Sequence, residues 1–326
     1  MLMLAGLLGV MAMGAFAFVG DDESTDDDMS DDMSENDSSV DESSGGGAVQ
    51  SGETEDQTEA SIVVGDDADE VLQGGAEDDQ INGYDGADTI DGAGGDDVLD
   101  GGEGDDLVSG GDGDDIVHGD DGDDILYGDQ GDDEIYGHNG DDVLSGGDGD
   151  DTLQGSEGDD VVMGDAGDDN VSGGLGDDVV TGGAGSDTLM GGDGDDVVSG
   201  VAMDGADGTD YVNGGDGDDQ LIGDDGDIMT GGDGADDFYV AGDEDQESPI
   251  EIMDFDQDED SMIVVWDTVS DPDAAIDLVP DDDDPDLTHV MIGDTEVAQL
   301  YGAEGLSADD FVIMSQEDFD ATGLAA

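Results

Sequence analysis

Residues 101–118 read GGEGDDLVS-GGDGDDIVH, one nine-residue unit followed by a second in the same register. Working outward, the unit begins at Gly65 and recurs without a slip to Ser199, which gives 15 contiguous repeats. After an insertion at 200–204, four more units follow at 205–213, 214–222, 223–230 and 231–239, of which the third is one residue short. Self-similarity of this length predicts a repeat architecture over residues 65–239.

Each unit has two parts. Glycine stands at positions 1, 4 and often 2, and because glycine accepts a positive φ, the first six residues are predicted to turn. The last three are predicted to form a short strand whose position 8 points inward and whose positions 7 and 9 point outward. Position 8 is aliphatic in all 15 contiguous repeats: Leu72, Ile81, Ile90, Leu99, Val108, Val117, Leu126, Ile135, Leu144, Leu153, Val162, Val171, Val180, Leu189 and Val198.

Two nine-residue units make one coil of about 18 residues, so repeat n stacks on repeat n+2. A single coil cannot bury its own aliphatic side chains, and stacking supplies the core. The sequence therefore predicts an all-β fold, a parallel β-roll of two sheets with about 18 residues per coil.

Charge sets the next constraint. The 326 residues include 99 Asp and Glu, no Lys or Arg and no Cys, and the formal net charge is −99. Stacked turns bring the position-6 carboxylates of adjacent coils to about 4.8 Å from each other, where they repel unless a cation lies between them. Ca²⁺ fits because it takes six to eight oxygen ligands in flexible geometry. Nucleic acid is excluded as a partner, since phosphates need a basic surface.

The GGxGxDxUx unit resembles the hemolysin-type nonapeptide of the repeats-in-toxin (RTX) family. The resemblance implies a calcium-binding β-roll in which the position-6 aspartates ligate the ions, and n to n+2 stacking then gives about 13 to 17 Ca²⁺ sites. Two repeats depart from the pattern, since the first has Glu70 at position 6 and the shortened repeat leaves its ligand in doubt. Position-5 residues such as Asp105 and Asp114 are expected to face solvent. The expected ligands are Asp79, Asp88, Asp97, Asp106, Asp115, Asp124, Asp133, Asp142, Asp151, Asp160, Asp169, Asp178, Asp187, Asp196, Asp210, Asp219 and Asp236.

The flanking segments differ from the repeats. Residues 1–19 carry no charged side chain and are interpreted as an export signal or membrane anchor. Residues 20–64 are predicted to be a disordered acidic linker. Residues 240–326 are predicted to be a β-rich capping and secretion region, with a hairpin turn at Gly293-Asp294. Its predicted strands are 250–253, 262–266, 275–279, 289–292, 296–301 and 311–314.

Some motifs point elsewhere but fit poorly. Asp254, Asp256 and Asp258 have the spacing that begins an EF-hand loop, but Glu259 and Val265 replace its glycine and its final glutamate. That stretch resembles the strand that follows the repeats in this family. The three histidines, His118, His138 and His289, are interpreted as ordinary surface residues. No nucleophile elbow or phosphate loop occurs, and no cofactor besides Ca²⁺ is expected.

The leading hypothesis is a secreted, extracellular calcium-binding protein with a structural or surface-associated role and no enzymatic activity. Two alternatives stay open: an adhesin or matrix component that uses the roll as a spacer, and a fragmentary RTX enzyme.

One asymmetry suggests a contact surface. Position 7 in the odd-numbered repeats reads Val71, Thr89, Leu107, Ile125, Val143, Val161, Val179 and Val197. In the even-numbered repeats it reads Gln80, Val98, Ile116, Glu134, Thr152, Asn170 and Thr188. The outer surface of the odd repeats, called here the odd-repeat face, is therefore expected to be covered. Three alternatives stay open for what covers it: residues 240–326 folding back, a second copy of the chain, or a protein or cell-envelope partner.

Overall fold

The computed structural model describes residues 60–201, 208–242, 248–266, 274–302, 306–322 and 324. The predictions for residues 1–19, and for all of 20–64 except its last five residues, lie outside this range. Through the repeats the strands are β1 Ile62–Val64, β2 Val71–Gln73, β3 Gln80–Asp85, β4 Thr89–Gly94, β5 Val98–Glu103, β6 Leu107–Asp112, β7 Ile116–Asp121, β8 Ile125–Gln130, β9 Glu134–Asn139, β10 Val143–Asp148, β11 Thr152–Glu157, β12 Val161–Ala166, β13 Asn170–Leu175, β14 Val179–Ala184, β15 Thr188–Asp193, β16 Val197–Ser199, β17 Tyr211–Asp216, β18 Gln220–Gly223, β19 Ile228–Asp233 and β20 Asp237–Ala241. After them come β21 Ile250–Ile252, β22 Ser261–Trp266, β23 Ile276–Pro280, β24 Leu287–Ile292, β25 Thr295–Tyr301, a short 3₁₀ turn at Ala308–Asp310, β26 Phe311–Ser315 and α1 Gln316–Asp320.

Strands of the repeats alternate between two parallel sheets. Odd-numbered strands from β1 to β21 form one sheet, here the even-repeat sheet because it carries position 7 of the even repeats. Even-numbered strands from β2 to β22 form the other, the odd-repeat sheet. Neighbouring strands pair with an offset of 18 residues, as in Leu107 with Ile125 and Ile125 with Val143. This confirms the predicted two-sheet β-roll with 18 residues per coil.

The strands are longer than the sequence suggested. β6, for example, runs through positions 7 to 9 of one repeat and positions 1 to 3 of the next, so that the turn occupies only positions 4 to 6. The predicted division into a six-residue turn and a three-residue strand was wrong, because the residues at positions 1 to 3, of which the first is glycine, pair through backbone groups that leave no side-chain pattern. Gly104 shows what the turn needs: its φ is 133°, and a Cβ there would collide with the carbonyl oxygen of Gly86 in the preceding coil.

Position 8 forms the core, as predicted. Its side chains are at most 8% exposed in every one of the contiguous repeats, and most of them are fully buried. The column continues beyond the contiguous repeats through Phe238 of the last repeat and then through Met262 and Phe311, so one cluster of aliphatic and aromatic side chains fills the space between the sheets.

The C-terminal residues extend both sheets. β21 and β22 stack in parallel on β19 and β20, and β26 stacks on β22. β23, β24 and β25 form an antiparallel extension of the even-repeat sheet, and the turn between β24 and β25 lies at Gly293-Asp294, as predicted. The cap is therefore β-rich, with α1 as its helix. No helix in the described part of the chain is long and apolar enough to cross a membrane.

The described residues cover the odd-repeat face at its C-terminal end only. Phe319 of α1 packs on Tyr239, with ring centroids 5.6 Å apart, in a small cluster with Ile222, Ile263 and Val265. Farther along the same face, Leu107, Ile125 and Val179 remain about 40% exposed. Among the described residues, the expected fold-back of 240–326 therefore reaches the end of the face and not its length.

Candidate metal centre

The position-6 aspartates stack in two columns, one at each edge of the roll. Each column member offers its Oδ1 to the backbone N–H of its neighbour in the preceding coil, as Asp151 does to Asp133 at 2.8 Å. One column contains Asp79, Asp97, Asp115, Asp133, Asp151, Asp169, Asp187, Asp210 and Asp227. The other contains Glu70, Asp88, Asp106, Asp124, Asp142, Asp160, Asp178, Asp196, Asp219, Asp236 and Asp260.

In most members of the two columns, the second carboxylate oxygen, Oδ2, is buried and accepts no hydrogen bond from the described part of the chain. Within the described part of the chain, this Oδ2 lacks a hydrogen bond in Asp88, Asp97, Asp106, Asp115, Asp124, Asp133, Asp142, Asp151, Asp160, Asp169, Asp178, Asp196 and Asp219. A buried polar oxygen left in this state is costly, so a row of them needs an explanation outside the protein atoms.

Glycine at position 1 leaves room for that oxygen. At Gly110, five residues before Asp115, a Cβ would stand 2.8 Å from the carbonyl oxygen of Gly128 and closer still to Oδ2 of Asp115. The carboxylate of one coil and a backbone carbonyl of the next therefore border the same small space. An all-oxygen cradle of this kind, in a chain without Lys or Arg, fits a hard divalent cation such as Ca²⁺.

The columns are electrostatically strained without a cation. Burial raises the pKa of Asp115 and Asp124 to about 7, against the lowering effect of the backbone N–H that each accepts, and neighbouring carboxylates raise it further. Burial likewise raises the pKa of Asp151 to about 6. The ionised forms of these carboxylates are therefore disfavoured in the metal-free roll, and a bound proton or metal ion relieves that cost.

The neighbouring position-5 aspartates behave differently. Asp105 and Asp114 are exposed, as predicted. The Oδ1 of Asp105 accepts the backbone N–H of Asp123 in the following coil at 3.2 Å, which ties successive turns together on the solvent side. The two aspartates of each turn therefore point in opposite directions.

All seventeen aspartates singled out from the sequence lie in the two columns; their role as ligands stays a prediction. The structure adds two members that sequence reasoning missed. Asp227 fills the position in the shortened repeat, where it accepts the N–H of Asp210 at 2.9 Å. Asp260 ends the other column by accepting the N–H of Asp236 at 3.0 Å, although it lies outside the periodic stretch. Glu70 takes the corresponding place in the first repeat.

The segment with EF-hand-like spacing also supports the roll. Asp254 accepts backbone N–H groups of Gly231 and Gly232 at 3.0 and 3.1 Å. Asp256 donates its own N–H to Oδ2 of Asp260 at 2.7 Å. Because the segment lies between β21 and β22 and caps the last turns, it matches the expected strand-bearing stretch after the repeats.

The histidines are less ordinary than the sequence suggested. His289 lies between Glu296 and Asp281, and its hydrogen bonds to these carboxylates, first the one to Glu296, raise its pKa. His118 and His138 face each other with 3.0 Å between Nδ1 and Nε2. Burial, followed by the charge of His138, lowers the pKa of His118. Their separation of 20 residues, slightly more than one coil, was the signal for this contact.

Comparison with known proteins agrees with this geometry. The family model described as RTX calcium-binding nonapeptide repeat (4 copies) matches residues 64–99, 100–135, 118–153, 136–171, 145–180, 172–200 and 204–236, more than half of the chain. The chain therefore belongs to the RTX calcium-binding nonapeptide repeat family, and its repeats bind multiple Ca²⁺ ions.

Among solved structures, the chain is similar to the extracellular lipase LipA from Serratia marcescens, with 17% identity and a TM-score of 0.20. The match covers 80% of this chain and 41% of the lipase chain. The search of curated proteins gave no match.

Proposed function

We propose that this chain is a secreted, extracellular calcium-binding protein whose roll folds when Ca²⁺ occupies the two columns, and that its role is structural or surface-associated and not enzymatic. The ligands in this proposal are the seventeen position-6 aspartates, together with Asp227 and Asp260. Two observations support this assignment: the chain belongs to a family of calcium-binding repeats, and carboxylate and carbonyl oxygens line its turns.

The observation that carries the proposal is the row of buried, unpartnered Oδ2 atoms. At neutral pH their ionised forms repel each other, and the chain has no basic side chain other than histidine to offset them. A Ca²⁺ ion between successive turns converts that repulsion into attraction, and its binding free energy becomes folding free energy. An extracellular setting fits, because weak extracellular calcium modules work at about 10⁻⁴–10⁻³ M Ca²⁺.

The test is circular dichroism of the full chain during a Ca²⁺ titration. β structure should appear in millimolar Ca²⁺ and disappear on chelation, whereas Mg²⁺ at the same concentration should not replace Ca²⁺, because it demands a tighter octahedral shell and gives up water reluctantly. A β signal that survives chelation at neutral pH would refute the proposal.

A second candidate function follows from the open part of the odd-repeat face. Exposed, aligned Leu107, Ile125 and Val179 form an apolar stripe on an otherwise acidic chain. An adhesin or matrix component, with the roll as a spacer and this stripe as the contact for a protein partner, a second copy or the cell envelope, would use such a surface. A fragmentary RTX enzyme remains the third alternative, and an activity screen of the calcium-loaded chain for hydrolysis of lipid and peptide substrates tests it.

A further inference from the structure

The outer face of the even-repeat sheet contains a group of side chains unlike the rest of the roll. Strands β5, β7 and β9 place Asp100 beside His118 in one column and Asp120 beside His138 in the next. Two carboxylates and two imidazoles thus occupy adjacent places on one surface. They lie on outward positions 9 and 2 of their repeats, away from the calcium columns at the turns.

The same kind of diagonal contact between positions 9 and 2 occurs on the odd-repeat sheet. The side chain at position 9 meets the position-2 side chain 20 residues later, as in the 2.5 Å hydrogen bonds that Ser109 and Ser145 donate to Asp129 and Asp165. The same diagonal brings Nδ1 of His118 to 3.0 Å from Nε2 of His138. The coil geometry therefore brings these two positions together on both sheets.

A carboxylate stands next to the imidazole pair. Oδ1 of Asp120 is 3.7 Å from Nε2 of His138, and both side chains are only half-exposed. Asp100, Asp120 and His138 line one surface cavity of about 370 Å³. The backbone at position 2 has a positive φ, 73° at Asp120 and 80° at His138, which the roll imposes on other non-glycine residues there as well.

The spacing of these atoms suits a borderline metal ion. Donors around a tetrahedral Zn²⁺ at bond lengths of about 2.0–2.1 Å lie about 3.3 Å apart. The observed 3.0 and 3.7 Å bracket that value. In the described part of the chain no three such side chains already surround one point, and the two imidazole rings are stacked with an interplanar angle of 18°, so the rings and Asp120 must reorient to converge on a metal ion.

We propose that His118, His138 and Asp120 bind one Zn²⁺-class metal ion on the outer face of the even-repeat sheet, with Asp100 as a further oxygen donor. Imidazole nitrogen suits Zn²⁺, Cu²⁺ and Ni²⁺, whereas Ca²⁺ takes oxygen ligands. The site therefore selects a different metal from the columns and lies on a different surface. The chain would carry two chemically distinct kinds of metal site.

The test is a Zn²⁺ titration of the full chain in saturating Ca²⁺, which occupies the oxygen-only sites, read by competition with a chromophoric chelator. One equivalent should bind more tightly than the background, and His118→Gln or His138→Gln should each weaken it about tenfold or more, as loss of a ligand does. Asp120→Asn, which keeps the side-chain size, should weaken it as well. Circular dichroism in Ca²⁺ verifies that each variant still folds.

His289→Gln is the matched control, because it removes the remaining histidine, which does not line the cavity. It should leave the affinity for the one tightly bound Zn²⁺ ion unchanged. Cu²⁺ electron paramagnetic resonance gives an independent readout, with coupling to two nitrogens in the unmodified chain and loss of that signal in the double histidine variant. Tight Zn²⁺ binding that persists in the double variant, or binding in the unmodified chain no tighter than in that variant, overturns the proposal.

Discussion

Two glycines of the same strand offer a sharp test of the cradle. β4 contains Gly92 at position 1 and Gly94 at position 3, both with ordinary φ. A Cβ at Gly92 would stand 2.5 Å from the carbonyl oxygen of Gly110 and closer still to Oδ2 of Asp97, whereas a Cβ at Gly94 would have its nearest neighbour at 3.4 Å. Real Cβ atoms do not approach heavy atoms within 3.0 Å, so Gly92→Ala must expel the Asp97 carboxylate or separate two coils.

The two substitutions should therefore have opposite effects. Overpacking costs about 1–3 kcal/mol. Displacing a buried charged group adds to that cost, since leaving such a group without its partners costs about 1–3 kcal/mol. Gly94→Ala loses none of these contacts and stiffens the unfolded chain, which stabilises by about 0.4–1 kcal/mol. We expect a difference of about 2–7 kcal/mol between the variants, the sum of these ranges.

Urea denaturation in saturating Ca²⁺ measures this difference. With a slope of about 1–3 kcal/mol per molar urea, it corresponds to a midpoint shift on the order of 1 M or more. The number of bound Ca²⁺ should also fall in Gly92→Ala and stay constant in Gly94→Ala. Equal midpoints for the two variants would refute the view that position 1 must be empty for the carboxylate to reach its site.

Asp151→Ala should weaken Ca²⁺ binding in its column without abolishing folding, because solenoid stability is spread over neighbouring coils. Asp150→Ala in the same turn is the exposed control, and calorimetric Ca²⁺ titration distinguishes the two variants. Complete loss of the Ca²⁺-dependent folding transition in Asp151→Ala would contradict the stacked-repeat fold. Lowering the pH should stabilise the metal-free roll, because the folded pKa values of about 6 to 7 lie above the ordinary aspartate value of 3.8: its stability is greatest near pH 4 and is lost as the pH rises through about 6 to 7. In chelator, the β signal in circular dichroism should therefore be absent at about pH 8 and recover as the pH falls to about 5, and a signal that stays absent at pH 5 would be the contrary result. Replacing Leu107, Ile125, Val143 and Val161 at position 7 of the odd-repeat face by Thr should lower self-association or envelope binding of the calcium-loaded chain, whereas Val98→Thr with Ile116→Thr on the even-repeat sheet should not. Light scattering and co-sedimentation with envelope fragments measure this, and unchanged association would leave the odd-repeat face without a contact role.

The repeat register made much of this fold predictable. Position 8 carries one kind of side chain in every contiguous repeat, so the core column and the two-repeat coil follow directly from the sequence. The six-residue strands did not follow, since residues such as Gly110 and Gly111 contribute only backbone groups to the sheet. Side-chain patterns report what is buried and are silent on backbone pairing.

The candidate site was predictable where the period holds. Asp115 and its equivalents could be placed by counting, but Asp227 lies in a repeat shortened by one residue, and Asp260 follows a stretch with no period. The contact between His118 and His138 depends on a diagonal between coils, which requires the three-dimensional stacking and not the repeat alone. Sequence counting therefore finds residues that share a column and misses those that meet across columns.

The insertion after Gly200 has a consequence for engineering. Five extra residues lie between Asp187 and Asp210, yet the N–H of Asp187 still donates to Oδ1 of Asp210 across a separation of 23 residues, where 18 is usual. The strands on either side also keep their alignment, with Val198 opposite Leu221. A turn of the roll can thus host a guest peptide without disturbing the register. An epitope or a fluorophore-bearing peptide added to the sequence at this position should therefore leave the register of the flanking coils unchanged.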